Sequence, residues 1–275
     1  MVSGVLRGGS GGRRLPGAVS CRGGGRHRGR RAARGDDLPR DAGHAGARSA
    51  EVGADARVTL GADAPAFPSA LRLVHEDADL IVVDKPPGLL TVATERERRR
   101  TAYRLLSDYV AAQGRAARIF IVHRLDRETS GLLVFAKSAV VKRHLQAQFV
   151  ARAVERGYVA AVEGRVREDQ GTLREPVVED PTTLRVRTGP GGREAITEYR
   201  VRERRARSTV LELRLRTGRR GQIRAQLAAL GHPIVGDRAF GAQTDPLQRL
   251  CLHATVLGFT DAHGRRLRFT SVAPF

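Results

Sequence analysis

The chain has 275 residues, 41% of them hydrophobic, and a formal net charge of +20, so it has room for one sizeable core or two small ones. That charge, carried almost entirely by Arg, concentrates polyanions at the surface and makes nucleic acid the leading partner class. Cys21 and Cys251 form no zinc-ligand pattern and fit a reducing cytoplasm, and no apolar run approaches the roughly 18 residues that a membrane span needs.

Residues 1–68 are dominated by Gly, Arg, Ala and Asp, with no aromatic residue before Phe67. Such a segment buries too little apolar area to offset its conformational entropy, so a disordered basic tail is expected, with the folded domain over 69–275. Leu71 to Val74 and Leu80 to Val83 are apolar runs around His75, Glu76, Asp77 and Asp79, which predicts two short strands and a turn. Thr101 is placed to cap a helix carrying Ala102, Leu105, Leu106, Tyr109 and Val110 on one side, and Gly114 is placed to end it. Ile119 to Val122 and Gly131 to Ala136 predict core strands. Ser138 caps a second helix, marked by Val141, Leu145 and Phe149.

Further strands are expected at Tyr158 to Val162, Leu184 to Arg187 and Ala195 to Val201. Leu211, Leu213 and Leu215 alternate with Glu212, Arg214 and Arg216, the period of a strand with one buried face. After a turn at Thr217-Gly218, a third helix carries Ile223, Leu227 and Leu230, with Arg220 and Arg224 one turn apart on another stripe. Strands outnumber helices without alternating with them, so the fold class is α+β, a mixed, mostly antiparallel sheet with flanking helices.

The chemistry is concentrated in His123-Arg124-Leu125-Asp126-Arg127-Glu128-Thr129-Ser130-Gly131, a charged turn between two apolar strands, where reactive groups are commonly presented. On physical grounds alone, Asp126 between Arg124 and Arg127 is either a structural ion pair or a presented carboxylate.

The stretch H-R-L-D-R-E-T-S-G-L-L-V-F-A-K resembles the catalytic motif of the RluA family of pseudouridine synthases. Three further segments agree in order and spacing. They are V-D-K-P-P-G-L-L from Val83, G-Y-V-A-A-V-E-G from Gly157, and L-R-T-G-R-R-G-Q-I-R-A-Q-L-A-A-L-G-H-P-I-V-G-D from Leu215, with Leu252-His253-Ala254 beyond. The resemblance implies a single catalytic domain that isomerises uridine in ribosomal or transfer RNA without cofactor or metal; a loop or unpaired uridine is the expected target, no membrane is expected, and a monomer is the default expectation. It implies Asp126 as essential carboxylate, Arg224 as its cationic partner and Tyr158 as the residue against the target uracil. Arg124 is implied to help hold the extruded nucleotide, with His123, Arg219 and Lys85 as further substrate contacts. For Lys85-Pro86-Pro87-Gly88, a rigid turn supporting the catalytic loop is the favoured alternative.

Two positions depart from the family pattern: Gly221 stands where His is usual, and Gln226 where a second His is common. Both put substrate positioning and local helix stability in question. Two other readings are weighed. A glycoside hydrolase needs a second carboxyl at a defined separation, and Glu128 is the only acid near Asp126 in the loop. A non-catalytic RNA-binding or RNA-folding factor on the same scaffold accounts equally for the basicity, but not for the intact Asp126, Tyr158 and Arg224.

Overall fold

The computed structural model describes residues 50–52, 65–114 and 118–275. Its chain order is β1 (Ala50–Val52), β2 (Arg72–Glu76), β3 (Leu80–Lys85), α1 (Ala102–Gln113), β4 (Phe120–Ile121), β5 (Ser130–Ala136) and α2 (Ala139–Val150). There follow β6 (Glu155–Glu163), β7 (Gln170–Leu173), β8 (Val177–Glu179), β9 (Val186–Thr188), β10 (Thr197–Arg204), β11 (Ser208–Leu215), α3 (Gln222–Ala229), β12 (Leu252–Thr260) and β13 (Arg266–Thr270).

The main sheet runs β2-β3-β5-β12-β6-β11-β10-β7. Its neighbours are antiparallel except β5 with β12, and β13 joins β12 at the side. The α+β fold with a mixed, mostly antiparallel sheet is therefore as the sequence predicts.

β5 shows why the apolar run from Ser130 to Ala136 has no polar face: every one of its residues is buried. Leu132, Val134 and Ala136 point into the core layer under α2, and Leu133 and Phe135 into the layer under α1. Fully burying side chains of this size stabilises the fold by about 1.5–3 kcal/mol each. β5 lies so close to β12 that a Cβ on Gly131 would stand 2.3 Å from the Ala254 carbonyl oxygen. Gly131 at φ +113° is the residue type that permits this approach.

The helix signals act as read. Thr101 Oγ1 accepts from the Arg104 amide at 3.0 Å, and Ser138 Oγ from the Val141 amide at 3.2 Å. α1 buries Leu106 and Val110, α2 buries Val141 and Leu145, and α3 buries Ile223 and Leu227 in a third core layer beneath β6 and β11.

Several expectations change. Most of the segment expected to be disordered lies outside the described residues, but Ala50–Val52 forms a short strand parallel to β13. Phe67 packs edge-on against Tyr109, with centroids 4.9 Å apart. The strand expected from Leu184 begins at Val186 and pairs only with β8, forming a hairpin off the main sheet. The Asp180 carboxylate accepts from the Thr182 and Thr183 amides, and this turn occupies the chain just before Leu184. β7, β8, β12 and β13 were not anticipated as strands; β7 and β8 are too short to show a period, and β12 mixes faces across a bulge between Ala254 and Val256.

Candidate active site

The loop 123–129 leads straight into β5, and it is tied down from behind by the segment after β3. Lys85 Nζ donates to the carbonyl oxygens of Pro86 and Leu89 at 2.8 Å and of Arg127 at 3.1 Å. The Gly88 amide donates to the Arg127 carbonyl at 2.9 Å, and Arg127 Nε returns a bond to the Gly88 carbonyl. Thr91 Oγ1 both donates to the Leu125 carbonyl and accepts from the Leu125 amide. Leu125 is buried in the core beneath α1, which leaves its neighbour Asp126 facing outward.

At the loop's other end, Ser130 Oγ meets His253 Nδ1 at 2.8 Å, and His253 Nε2 meets Ser271 Oγ at 3.0 Å, so the Leu252-His253-Ala254 motif braces the start of β5.

Asp126 stands where two hollows meet. One, of about 390 Å³, is lined by His123, Phe149, Arg156, Tyr158 and Gly218 among others. The second lies beneath the β8–β9 hairpin against Leu184, Arg185 and Phe240. Arg124, Asp126, Arg220, Gly221 and Arg224 border both.

α3 brings Arg224 to this point because Ile223 and Leu227 fix its opposite face in the core. Arg224 Nη1 stands 3.9 Å from Asp126 Oδ2. Its close partner is Asp237, which accepts from Nε and Nη2 at 2.7 Å each. Burial alone would push the Arg224 pKa down, but the hydrogen bonds and charge of Asp237, with Asp126 adding to them, raise it. The guanidinium is thus a fixed cation held by one buried carboxylate and presented to another.

Tyr158 sits in β6, opposite Leu213 of β11 and Ala254 of β12. Its phenol is pushed up to about 12 by burial, with the Asp126 charge adding and the Arg156 charge opposing. Arg124 is exposed at the rim, without an ion-pair partner among the described residues. Arg219 lines the first hollow, its amide bonded to Gln222 Oε1 and its Nε to the Glu194 carbonyl.

Two of the expected substrate contacts are set back from the open cleft. Lys85 is fully buried with Nζ bonded to three carbonyls, the placement that the supporting-turn reading expects. His123 lines the hollow, but Nε2 accepts from the Val134 amide at 3.2 Å and its ring stacks on Phe149 at 4.8 Å. Burial, and then the Arg156 charge, push its pKa down to about 3, so it is a neutral wall of the site.

The two departures from the family pattern are absorbed by the structure. Gly221 precedes α3 at φ +58°, a conformation glycine adopts freely, and a Cβ there would meet Val186 at 3.4 Å. Gln226 is buried with its amide satisfied: Oε1 accepts from Thr197 Oγ1 at 2.7 Å, and Nε2 donates to the Glu175 and Ala195 carbonyls.

Sequence reading missed Asp237 and Arg156. Asp237 carried a signal as the acid closing the apolar run Pro233-Ile234-Val235-Gly236. Arg156 carried one too, since residues two apart in a strand share a face, and it precedes Tyr158 by two.

With this geometry in hand, comparison with known proteins is decisive for the family. Residues 79–229 match the family described as RNA pseudouridylate synthase, and the chain belongs to that family. It is 37% identical over 189 residues to an uncharacterized RNA pseudouridine synthase of Bacillus subtilis, covering 67% of this chain and 62% of that protein. It is 36% identical over 215 residues to the ribosomal large subunit pseudouridine synthase D of Nitrosomonas europaea, covering 74% and 62%. The chain therefore spans a little under two thirds of the length of these relatives. Among solved structures, human RNA pseudouridylate synthase domain containing 1 superposes with a TM-score of 0.62 at 25% identity, covering 74% of this chain and 84% of that one. The RluA-type resemblance carried by the four motifs agrees with these relatives.

Among the described residues no helix is long and apolar enough to cross a membrane, and no group of three or more His, Cys, Asp or Glu side chains is placed to hold a metal ion.

Proposed function

We propose that this chain isomerises uridine to pseudouridine in RNA, with Asp126 as the essential carboxylate. In that reaction the bond from uracil N1 to ribose C1′ breaks, the base turns, and C5 bonds to C1′ while losing its proton and N1 gains one. No electron is exchanged with an outside partner. The observation that carries the reading is Asp126, fixed at the meeting of two hollows, with the Arg224 cation 3.9 Å away and Tyr158 lining the same cleft. Attack at C1′ and removal of a ribose proton are both steps that a carboxylate open to the cleft performs.

Tyr158 supports the uracil ring as a neutral phenol, through contact and a donated hydrogen bond, because its raised pKa keeps its proton in place at neutral pH. Arg124 at the rim meets the extruded nucleotide, and Arg219 beside it contacts the strand. Extrusion costs a few kcal/mol from a duplex and less from a loop, which favours an unpaired uridine as target.

The substrate is ribosomal RNA of the large subunit, a reading supported by the names of the relatives from Nitrosomonas europaea and Salmonella typhimurium. The protein acts as a monomer in the cytoplasm, a location supported by the ribosomal substrate that the relatives' names give. The test uses in-vitro transcripts of large-subunit ribosomal RNA and of transfer RNA, labelled with tritium at uracil C5. Release from the ribosomal transcript is expected. Release from transfer RNA alone overturns the substrate, and release from neither overturns the activity.

A further inference from the structure

The first hollow holds a cation for which the reaction above has no use. Arg156 lies in β6 two residues before Tyr158, on the same face and lining the same hollow. Its Nε is buried and makes no hydrogen bond, and Nη2 reaches the Leu215 carbonyl oxygen only at 3.5 Å. The guanidinium carbon stands 5.8 Å from the centre of the Phe149 ring. No carboxylate lies within ion-pair distance among the described residues, in contrast to Arg224, held by Asp237, and Arg220, held by Glu179. Burial pushes the Arg156 pKa down, with Tyr158 opposing and the Arg152 charge adding.

In the turn after β11, the Arg156 guanidinium lies against the open face of Gly218.

We propose that Arg156 is a phosphate-binding residue that pairs with the RNA backbone phosphate next to the flipped uridine, and so holds the ribose with C1′ toward Asp126. The inference rests on the reading that the chain acts on RNA. A full negative charge compensates a half-buried guanidinium better than a neutral base carbonyl does, and its planar fork matches two phosphate oxygens. The aromatic face of Phe149 holds the group in place while the site is empty.

The experiment measures binding of the full chain to an in-vitro transcript of large-subunit ribosomal RNA across a series of KCl concentrations, together with tritium release from the same transcript. Arg156→Gln is expected to weaken binding and to lower the slope of log K against log salt by about 0.7–0.9, the loss of one phosphate contact. Arg156→Lys keeps the charge and is expected to keep the slope. KM is expected to rise more than kcat falls in Arg156→Gln, the pattern of lost substrate binding. Should Arg156→Gln fail to fold by circular dichroism, Arg156→Met, which keeps an apolar stem against Phe149, takes its place and is expected to lower the slope in the same way.

An unchanged slope overturns the inference, including the case in which affinity falls without a slope change, because that pattern marks contact with an uncharged group. Wild-type turnover separates the two readings. Normal wild-type release with an unchanged slope in the variant defeats the Arg156 proposal alone, whereas no release from any RNA defeats both.

Discussion

Arg224 is locked to Asp237 by two 2.7 Å hydrogen bonds, and it meets Asp126 at 3.9 Å with its remaining nitrogen. One buried carboxylate thus orients the cation that serves a second, more exposed one: the side chain of Asp237 is 1% exposed and that of Asp126 is 23% exposed. Arg224 arrives already neutralised on one side, so approach to Asp126 costs little reorganisation.

Removing the orienting carboxylate has consequences for both folding and turnover. Asp237→Ala leaves the Arg224 guanidinium buried and unpaired, and is expected to cost about 3–5 kcal/mol of stability, measured as a shift in urea midpoint. Under conditions where the variant is folded, kcat is expected to fall more than KM rises. Wild-type turnover in folded Asp237→Ala would show that Arg224 needs no such orientation.

Tyr158→Phe removes a hydroxyl and keeps the ring. The loss of one donated hydrogen bond is expected to lower kcat about 10- to 100-fold, with the fold unchanged by circular dichroism. Because burial pushes the phenol up to about 12, Tyr158 stays protonated, so wild type and variant are expected to share the same pH dependence between about pH 6 and 10. An alkaline limb in that range that disappears in the variant contradicts the assignment.

Lys85→Met leaves three carbonyls without their donor and is expected to cost about 3 kcal/mol. The wild-type pKa of Lys85 is lowered to about 7, chiefly by burial, with the charges of Glu128, Asp126 and Asp84 opposing. Its folded pKa lies below the unfolded value, so between these values the unfolded chain binds more protons and stability rises with pH. The contribution is full above about pH 10.5 and lost as pH falls to about 7. The stability difference between wild type and Lys85→Met is therefore expected to widen as pH rises through that window, read from paired urea titrations. A difference that narrows contradicts burial as the dominant influence on Lys85.

Gly221→Ala is expected to destabilise the start of α3 by about 1 kcal/mol, from its positive φ and the nearby Val186 side chain. A stabilised variant in thermal unfolding runs counter to this, since alanine gains only where the backbone accepts it.

The sequence made the catalytic loop legible because apolar strands on both sides of a short charged stretch leave little choice about what faces out. β5 is legible as a short unbroken apolar run and α2 by its apolar residues four apart, with Ser138 marking the helix start. Asp126, Arg224 and Tyr158 were legible through motif spacing, and the fold brings them to one cleft. What was not legible depends on distances across the sheet. The turn at Lys85-Pro86-Pro87-Gly88 reads as a support for the loop, but nothing local shows that three carbonyls converge on the Lys85 side chain itself. His123 reads as a contact residue because the ring of Phe149 and the Val134 amide reach it from other elements. Arg156 is hidden because its burial against Phe149 and its unbonded Nε depend on contacts from other elements.

The most direct measurement is tritium release by Asp126→Ala on a large-subunit ribosomal RNA transcript, made alongside filter-binding of the same variant to that RNA. The account predicts no detectable isomerisation with RNA affinity retained within a few fold. Turnover equal to wild type would contradict it, because every step assigned to this cleft passes through that carboxylate.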